Sequence, residues 1–263
     1  MRKLPIVFLL VMLLFFTFHT FVFAQSTTYT KYRSYVDQYR DTKESFELAR
    51  TKHKNFQSLT TQTSLVQATV EFFGLRISIL SAYLDVLQEK IDEEPALTQE
   101  EKDAQKKTIE EQKKLLDQHQ QKIDALQRVE QINTVSKEFD ELYKVISANS
   151  QLVRTHVYIG RATLLLQQLM STTQKLEDKT NSLKEQGKNV NLLETWLSRI
   201  KEKTSAVDQS LKVAASTAIV TVNPDDTITN VQLASSQLRL AQENLGKISL
   251  FFKEFVQELK RVK

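Results

Sequence analysis

VQATVEFFGLRISILSAYLDVLQEKI, residues 66–91, decides the fold. Val66, Val70, Phe73, Ile77, Leu80, Leu84, Leu87 and Ile91 recur at alternating spacings of four and three. An apolar side chain at that rhythm returns to one side of an α-helix and buries a single seam against other helices. The C-terminal stretch repeats the pattern with Val231, Ala234, Leu238, Ala241, Leu245, Ile248, Phe252, Phe255, Leu259 and Val262. Two such stripes predict an all-α protein, an elongated helical bundle of coiled-coil rods.

Working outward, the 263 residues include only 4 Gly and 3 Pro, so few positions suit tight turns. Cys is absent, which excludes disulfides, thiolate metal sites and thiol catalysis together. Arg2 and Lys3 precede an uncharged apolar run from Leu4 to Ala24, closed by Val22-Phe23-Ala24 before Gln25. That is the form of a secretory signal peptide. The competing reading is an uncleaved anchor, since the 21-residue run is about bilayer length. Either way the chain is expected to be exported, to the cell envelope or beyond. Removing residues 1–24 lowers the net charge from +4 to +2, so the basic balance gives little reason to expect nucleic acid. Charges of both signs interleave as on solvated helix faces.

The first mature segment carries Tyr32, Tyr35, Tyr39, Thr42, Phe46, Ala49, His53 and Phe56 at heptad spacing. The Thr/Ser stretch 58–64 reads as a loop or as a locally overwound continuation. Continuation is the expectation, giving one rod over 27–93 of about 100 Å. Pro95 ends it, and Thr98-Gln99-Glu100-Glu101 has the spacing of a capping box. The helix that follows has a thin seam of Ile109, Gln112, Leu116, His119, Ile123 and Leu126. A fourth helix from Asn133 or Thr134 to about Gln186, stopped by Gly187, bears two stripes. Val135, Phe139, Leu142, Ile146 and Val153 form one; Ile159, Ala162, Leu166, Leu169, Thr173, Leu176 and Leu183 form the other. They are out of phase by three residues near His156 and Gly160, so its two halves must face different partners. Asn191 with Glu194 opens a fifth helix, Asn223-Pro224-Asp225-Asp226 breaks it, and Thr229 with Gln232 is the expected cap of the sixth. The expected organisation is a signal peptide or anchor (1–24), a Tyr-rich N-terminal helix (25–61), and two bundle units (62–155 and 156–263). The long fourth helix is shared between the two units, in a geometry like that of spectrin repeats but without their residue motifs.

Ala68-Thr69-Val70-Glu71-Phe72-Phe73-Gly74-Leu75-Arg76, followed by Ile79-Leu80 and Tyr83-Leu84, resembles uncharacterised exported α-helical proteins of uncultivated bacteria over about residues 28–95. The resemblance implies export and helical structure and carries no activity.

His53, His119 and His156 fall on separate helices at or near seam positions, with no partner at metal-ligand spacing. The sequence holds no Gly-rich phosphate loop, no HExxH and no nucleophile elbow. The expectation is a protein without catalytic, cofactor or metal residues and without a small-molecule substrate. The candidate interaction face is Tyr29, Tyr32, Tyr35 and Tyr39, whose rings are apolar and whose hydroxyls are wet, together with Arg76 beside the strongest seam. An ordinary seam tolerant of hydroxyls, and an Arg paired with a nearby acid, are the plainer readings. Lys31, Arg33, Arg40 and Lys43 add attraction to an anionic surface, largely offset by Asp37, Asp41 and Glu44. Thr217–Val222 and Thr227–Gln232 are β-branched around a Pro-Asp turn. They read as helix ends plus a loop, with a β-hairpin as the alternative. The leading expectation is a non-enzymatic scaffold that docks helix faces on a protein partner or on itself. An anchored stalk or sensor ectodomain, or a protein acting at a membrane surface, is the alternative.

Overall fold

The computed structural model describes residues 26–219 and 223–262. Among them the protein is all-α, a helical bundle without strands. The segment expected to be a signal peptide or anchor, residues 1–24, lies outside the described residues. The chain divides into two compact units at Val86/Leu87, inside a helix rather than near residues 61 and 155.

The first unit is built from α1 (Thr27–Phe56) and the first part of α2 (Leu59–Glu93). The single rod expected over 27–93 is not formed. Gln57 takes the left-handed conformation (φ 45°), and its N–H closes α1 on the His53 carbonyl. Ser58 then accepts the Thr61 N–H at 3.3 Å, so a side chain caps the new helix. His53 Nδ1 meets Thr61 Oγ1 across the turn at 3.3 Å. The reversal uses neither Gly nor Pro, so no breaker residue marked it. Tyr32 lies against Tyr83 (ring centroids 6.0 Å), while Tyr39 and Phe46 meet Phe72 at 5.8 and 4.9 Å. These pairs run in opposite directions along the two helices, which defines an antiparallel hairpin. No α1 residue is fully buried, because one seam is all that this helix covers. In α2, Phe73, Ile77 and Leu84 of the expected stripe are buried, joined by Leu65, Thr69, Phe72, Ala82 and Val86. The apolar face is therefore wider than a two-position seam.

The second unit starts with the end of α2. Thr98 opens α3 (Gln99–Asp124) with the expected reciprocal capping box. Ile109, Gln112, Leu116, His119 and Ile123 are its buried positions. A 3₁₀ turn (Val129–Gln131) leads into α4 (Ile132–Glu185). Gly187 stops α4 at φ 76°, and the Lys188 N–H returns to the Leu183 carbonyl at 3.1 Å. α5 (Asn191–Thr217) is opened not by Asn191 but by Asn189, whose side-chain oxygen accepts the Asn191 N–H at 3.2 Å. α6 (Pro224–Val262) begins earlier than the Thr229 cap predicted. Asn223 accepts the Asp225 N–H at 3.1 Å, and Asp225 and Asp226 stand in the positive first turn. Thr229 instead bonds the Asp225 carbonyl inside the helix. Residues 227–232 are thus helical and form no hairpin strand, while 220–222 lie outside the described residues.

The unit's main core joins Ile159, Leu166 and Leu169 of α4 to Ile200, Val207 and Leu211 of α5 and to Leu238, Leu245 and Ile248 of α6. Ala214, Ala234 and Ala241 are completely buried, and their short side chains let α5 and α6 approach closely. Leu183, Leu193, Leu197, Phe255 and Leu259 continue the core at the opposite end of that pair. Buried threonines return their hydroxyls to the carbonyl four residues back, as Thr173 and Thr204 do at 2.8 Å.

The α2–α3 connection crosses α4 at the point where the stripes change phase. Glu94 is 3% exposed, and its Oε2 takes Arg161 Nε at 2.6 Å and Nη2 at 2.5 Å. Its other oxygen accepts the Ala96 N–H. Beside that pair, a Cβ on Gly160 would meet Leu97 Cδ2 at 2.9 Å and the Ala96 carbonyl oxygen at 3.0 Å. Glycine here permits close passage of backbone over helix.

Candidate interaction surface

The Tyr-rich face belongs to α1, and the structure places it at the hairpin seam. Tyr29 and Tyr32 lie 6.3 Å apart, Tyr32 touches Tyr83, and Tyr39 touches Phe72. Tyr35 shares the face, and all four remain half-buried. The rings of Tyr29, Tyr32 and Tyr39 are therefore engaged with other aromatic rings, and part of each of the four residues stays accessible. Arg76 lies over the rings of Phe72 and Phe73, its guanidinium carbon 5.5 and 5.4 Å from their centroids. Those contacts hold the cation along its own helix, each with a stabilisation of about 0.5–1 kcal/mol where solvent reaches it. Nearby, Arg40 pairs with Asp41 at 3.7 Å with both side chains in water, a contact that adds little.

His53, His119 and His156 each have their own surroundings. His53 closes the hairpin turn. His119 is buried against Phe139 at 5.7 Å, and burial pushes its pKa down despite Glu138 at 4.0 Å. Burial likewise lowers the His156 pKa, opposed by a hydrogen bond to the Ala218 backbone. Among the described residues no group of three His, Asp or Glu side chains is placed to hold a metal ion. Nor is any described helix long and apolar enough to cross a membrane.

Three features were not anticipated. The Glu94–Arg161 pair joins residues 67 apart, and neither falls in a motif. Gln112 and His119 Nε2 are buried polar groups without a hydrogen-bond partner among the described residues, although their seam positions were legible. The tip of the α1–α2 hairpin exposes two large apolar side chains, Phe56 and Leu59. Its signal was present in the sequence, for no acid occurs between Glu47 and Glu71 while Arg50, Lys52 and Lys54 do. Outer helix faces also carry Met170, Leu192, Leu233, Leu240 and Leu250, all exposed.

No protein-family model, no curated protein and no solved structure matches the chain.

Proposed function

We propose that this is an exported, non-enzymatic helical scaffold or interaction protein of the cell envelope, working by helix-face docking or self-association. The observation that carries this reading is α1: 30 residues of helix, an aromatic seam, and no fully buried side chain. A helix so lightly covered offers a long amphipathic surface to a second helix. Leu233 and Leu240, one heptad apart on the outside of α6, support the same reading. Export is supported by the form of residues 1–24 and by the resemblance of about residues 28–95 to exported bacterial helical proteins.

The test joins two measurements on one sample. Cross-linking in envelope fractions, followed by sedimentation of the purified protein, is expected to show a specific partner or a concentration-dependent oligomer. A strictly monomeric protein that captures nothing specific would refute docking. Mass spectrometry of the native N-terminus is expected to find a chain beginning at Gln25. A retained leader turns the scaffold into an anchored ectodomain.

A further inference from the structure

We infer that the tip of the α1–α2 hairpin is a docking point for an anionic lipid bilayer surface. Phe56 is 72% exposed and Leu59 78%, on either side of the left-handed turn at Gln57. Among the described residues no group covers them. Within two turns stand Arg50, Lys52 and Lys54, all exposed, and the nearest acids in sequence are Glu47 and Glu71. Arg50 is engaged by Glu47 at 3.5 Å, which leaves Lys52 and Lys54 as the uncompensated charge. Asn55, Gln57 and Ser58 fill the rest of the tip with short polar side chains suited to headgroup level.

An apolar pair flanked by cations is the composition of a surface-seeking element. The pair enters the acyl boundary while the lysines remain among anionic headgroups. The charge selects the lipid, and the apolar pair selects a bilayer over a soluble polyanion, because Leu59 offers a nucleic acid neither a stacking plane nor a hydrogen bond. Two side chains give shallow, reversible contact that does not span. The site is separate from the helix faces proposed for docking and survives or fails independently of them.

The experiment places a reporter at the tip of the full chain. Trp196 is the sole tryptophan, so a Trp196→Phe, Phe56→Trp chain carries its only indole at position 56. Phosphatidylcholine vesicles with and without phosphatidylglycerol, bearing brominated acyl chains, serve as the probe. With phosphatidylglycerol, blue-shifted emission and bromine quenching are expected, both reversed by salt. Pure phosphatidylcholine is expected to give neither. Adding Lys52→Gln and Lys54→Gln should weaken the response about thirtyfold, as expected for losing two cations near the headgroups. Circular dichroism is expected to be unchanged, since all three tip positions are exposed. Attachment by the apolar N-terminus, which carries Arg2 and Lys3, would be indifferent to the Lys52→Gln and Lys54→Gln substitutions, so it cannot imitate their effect. Absence of quenching in anionic vesicles, equal quenching in neutral ones, or indifference to the lysine substitutions would overturn the inference. A response to a single-stranded oligonucleotide with none to vesicles would overturn it too, in favour of nucleic acid.

Discussion

The same substitution at two helical glycines should have opposite effects. Gly160 lies in α4 and Gly246 in α6, both in the second unit, so both report on the unfolding of one body. Replacing glycine by alanine inside a helix stabilises it by about 1 kcal/mol, because the unfolded chain loses freedom. At Gly246 an added Cβ meets nothing within 4 Å, so Gly246→Ala should realise that gain in full. At Gly160 the methyl would stand 2.9 Å from Leu97 Cδ2 and 3.0 Å from the Ala96 carbonyl oxygen. The leucine end can swing aside, but the carbonyl is backbone and moves only with the whole connection. Overpacking of this kind costs about 1–3 kcal/mol. Gly160→Ala should therefore be neutral to destabilising by about 2 kcal/mol once the propensity gain is subtracted. Denaturant unfolding followed by helical dichroism measures both variants. The expected separation between them is about 1–3 kcal/mol, the overpacking alone. Equal stabilisation by both would show that the α2–α3 connection does not pass over α4 at this point, and the account of that crossing would fall.

Glu94→Gln should destabilise the second unit by about 1–3 kcal/mol in the same assay, less than for a fully buried pair because Arg161 is 35% exposed and can rehydrate. Phe46→Ala removes the ring stacked on Phe72 (4.9 Å, 7° between planes) and should cost about 1–3 kcal/mol. Amide exchange along α1 should rise well before that of α5 and α6, and uniform acceleration would contradict the picture of a helix held by one seam. Burial depresses the folded pKa of His119 and His156 below the ordinary 6.5, so the unfolded chain gains protons first as pH falls. Their contribution to stability is present above pH 6.5 and declines as pH drops toward the depressed values; a paired His119→Leu, His156→Leu variant should lose less stability between pH 7 and 5 than the parent.

Helix identity was legible because most seam positions are core positions, although Val66, Val70 and Leu80 of the opening stripe are only half-buried. In α6 every apolar residue of the expected stripe from Val231 to Leu259 is buried, and α5 buries Leu193, Leu197, Ile200, Thr204, Val207, Leu211 and Ala214 at the same spacings of three and four. Some helix starts were legible too, where the cap was a side chain at fixed spacing, as at Thr98. The misplaced start of α6 has a clear origin: Asn223 with Pro224 outcompetes Thr229, because Pro at the first helical position gives up no hydrogen bond. The hairpin at Gln57 was hidden for another reason. Its left-handed residue is not a glycine, and heptad spacing continues almost unbroken through Thr60 and Thr63 into α2. Periodicity states which side of a helix is apolar and says nothing of whether the chain reverses. The aromatic pairs that decide it join residues as far apart as Tyr32 and Tyr83.

The phase change in α4 shows how such long-range information can still leave a local trace. Its first half faces α3, where Phe139 meets His119 and Glu138 meets Lys122 at 2.8 Å. Its second half joins the α5–α6 core through Ile159, Leu166 and Leu169. Between them, Ile146, Ala148, Ser150, Leu152, Val153, Thr155 and Val157 are all buried, so the helix is covered on more than one side where the two seams overlap. A helix covered that broadly has little polar face to spare, and neighbours can close in only past small residues. Ala148, Ser150 and Gly160 supply them. Arg161 follows just past the overlap, and it is met by the buried carboxylate of Glu94 from the crossing connection. The three-residue slip between stripes is thus the sequence image of one helix serving two sets of neighbours. Glycine and the ion pair sit together there because that is where a third segment of chain must cross.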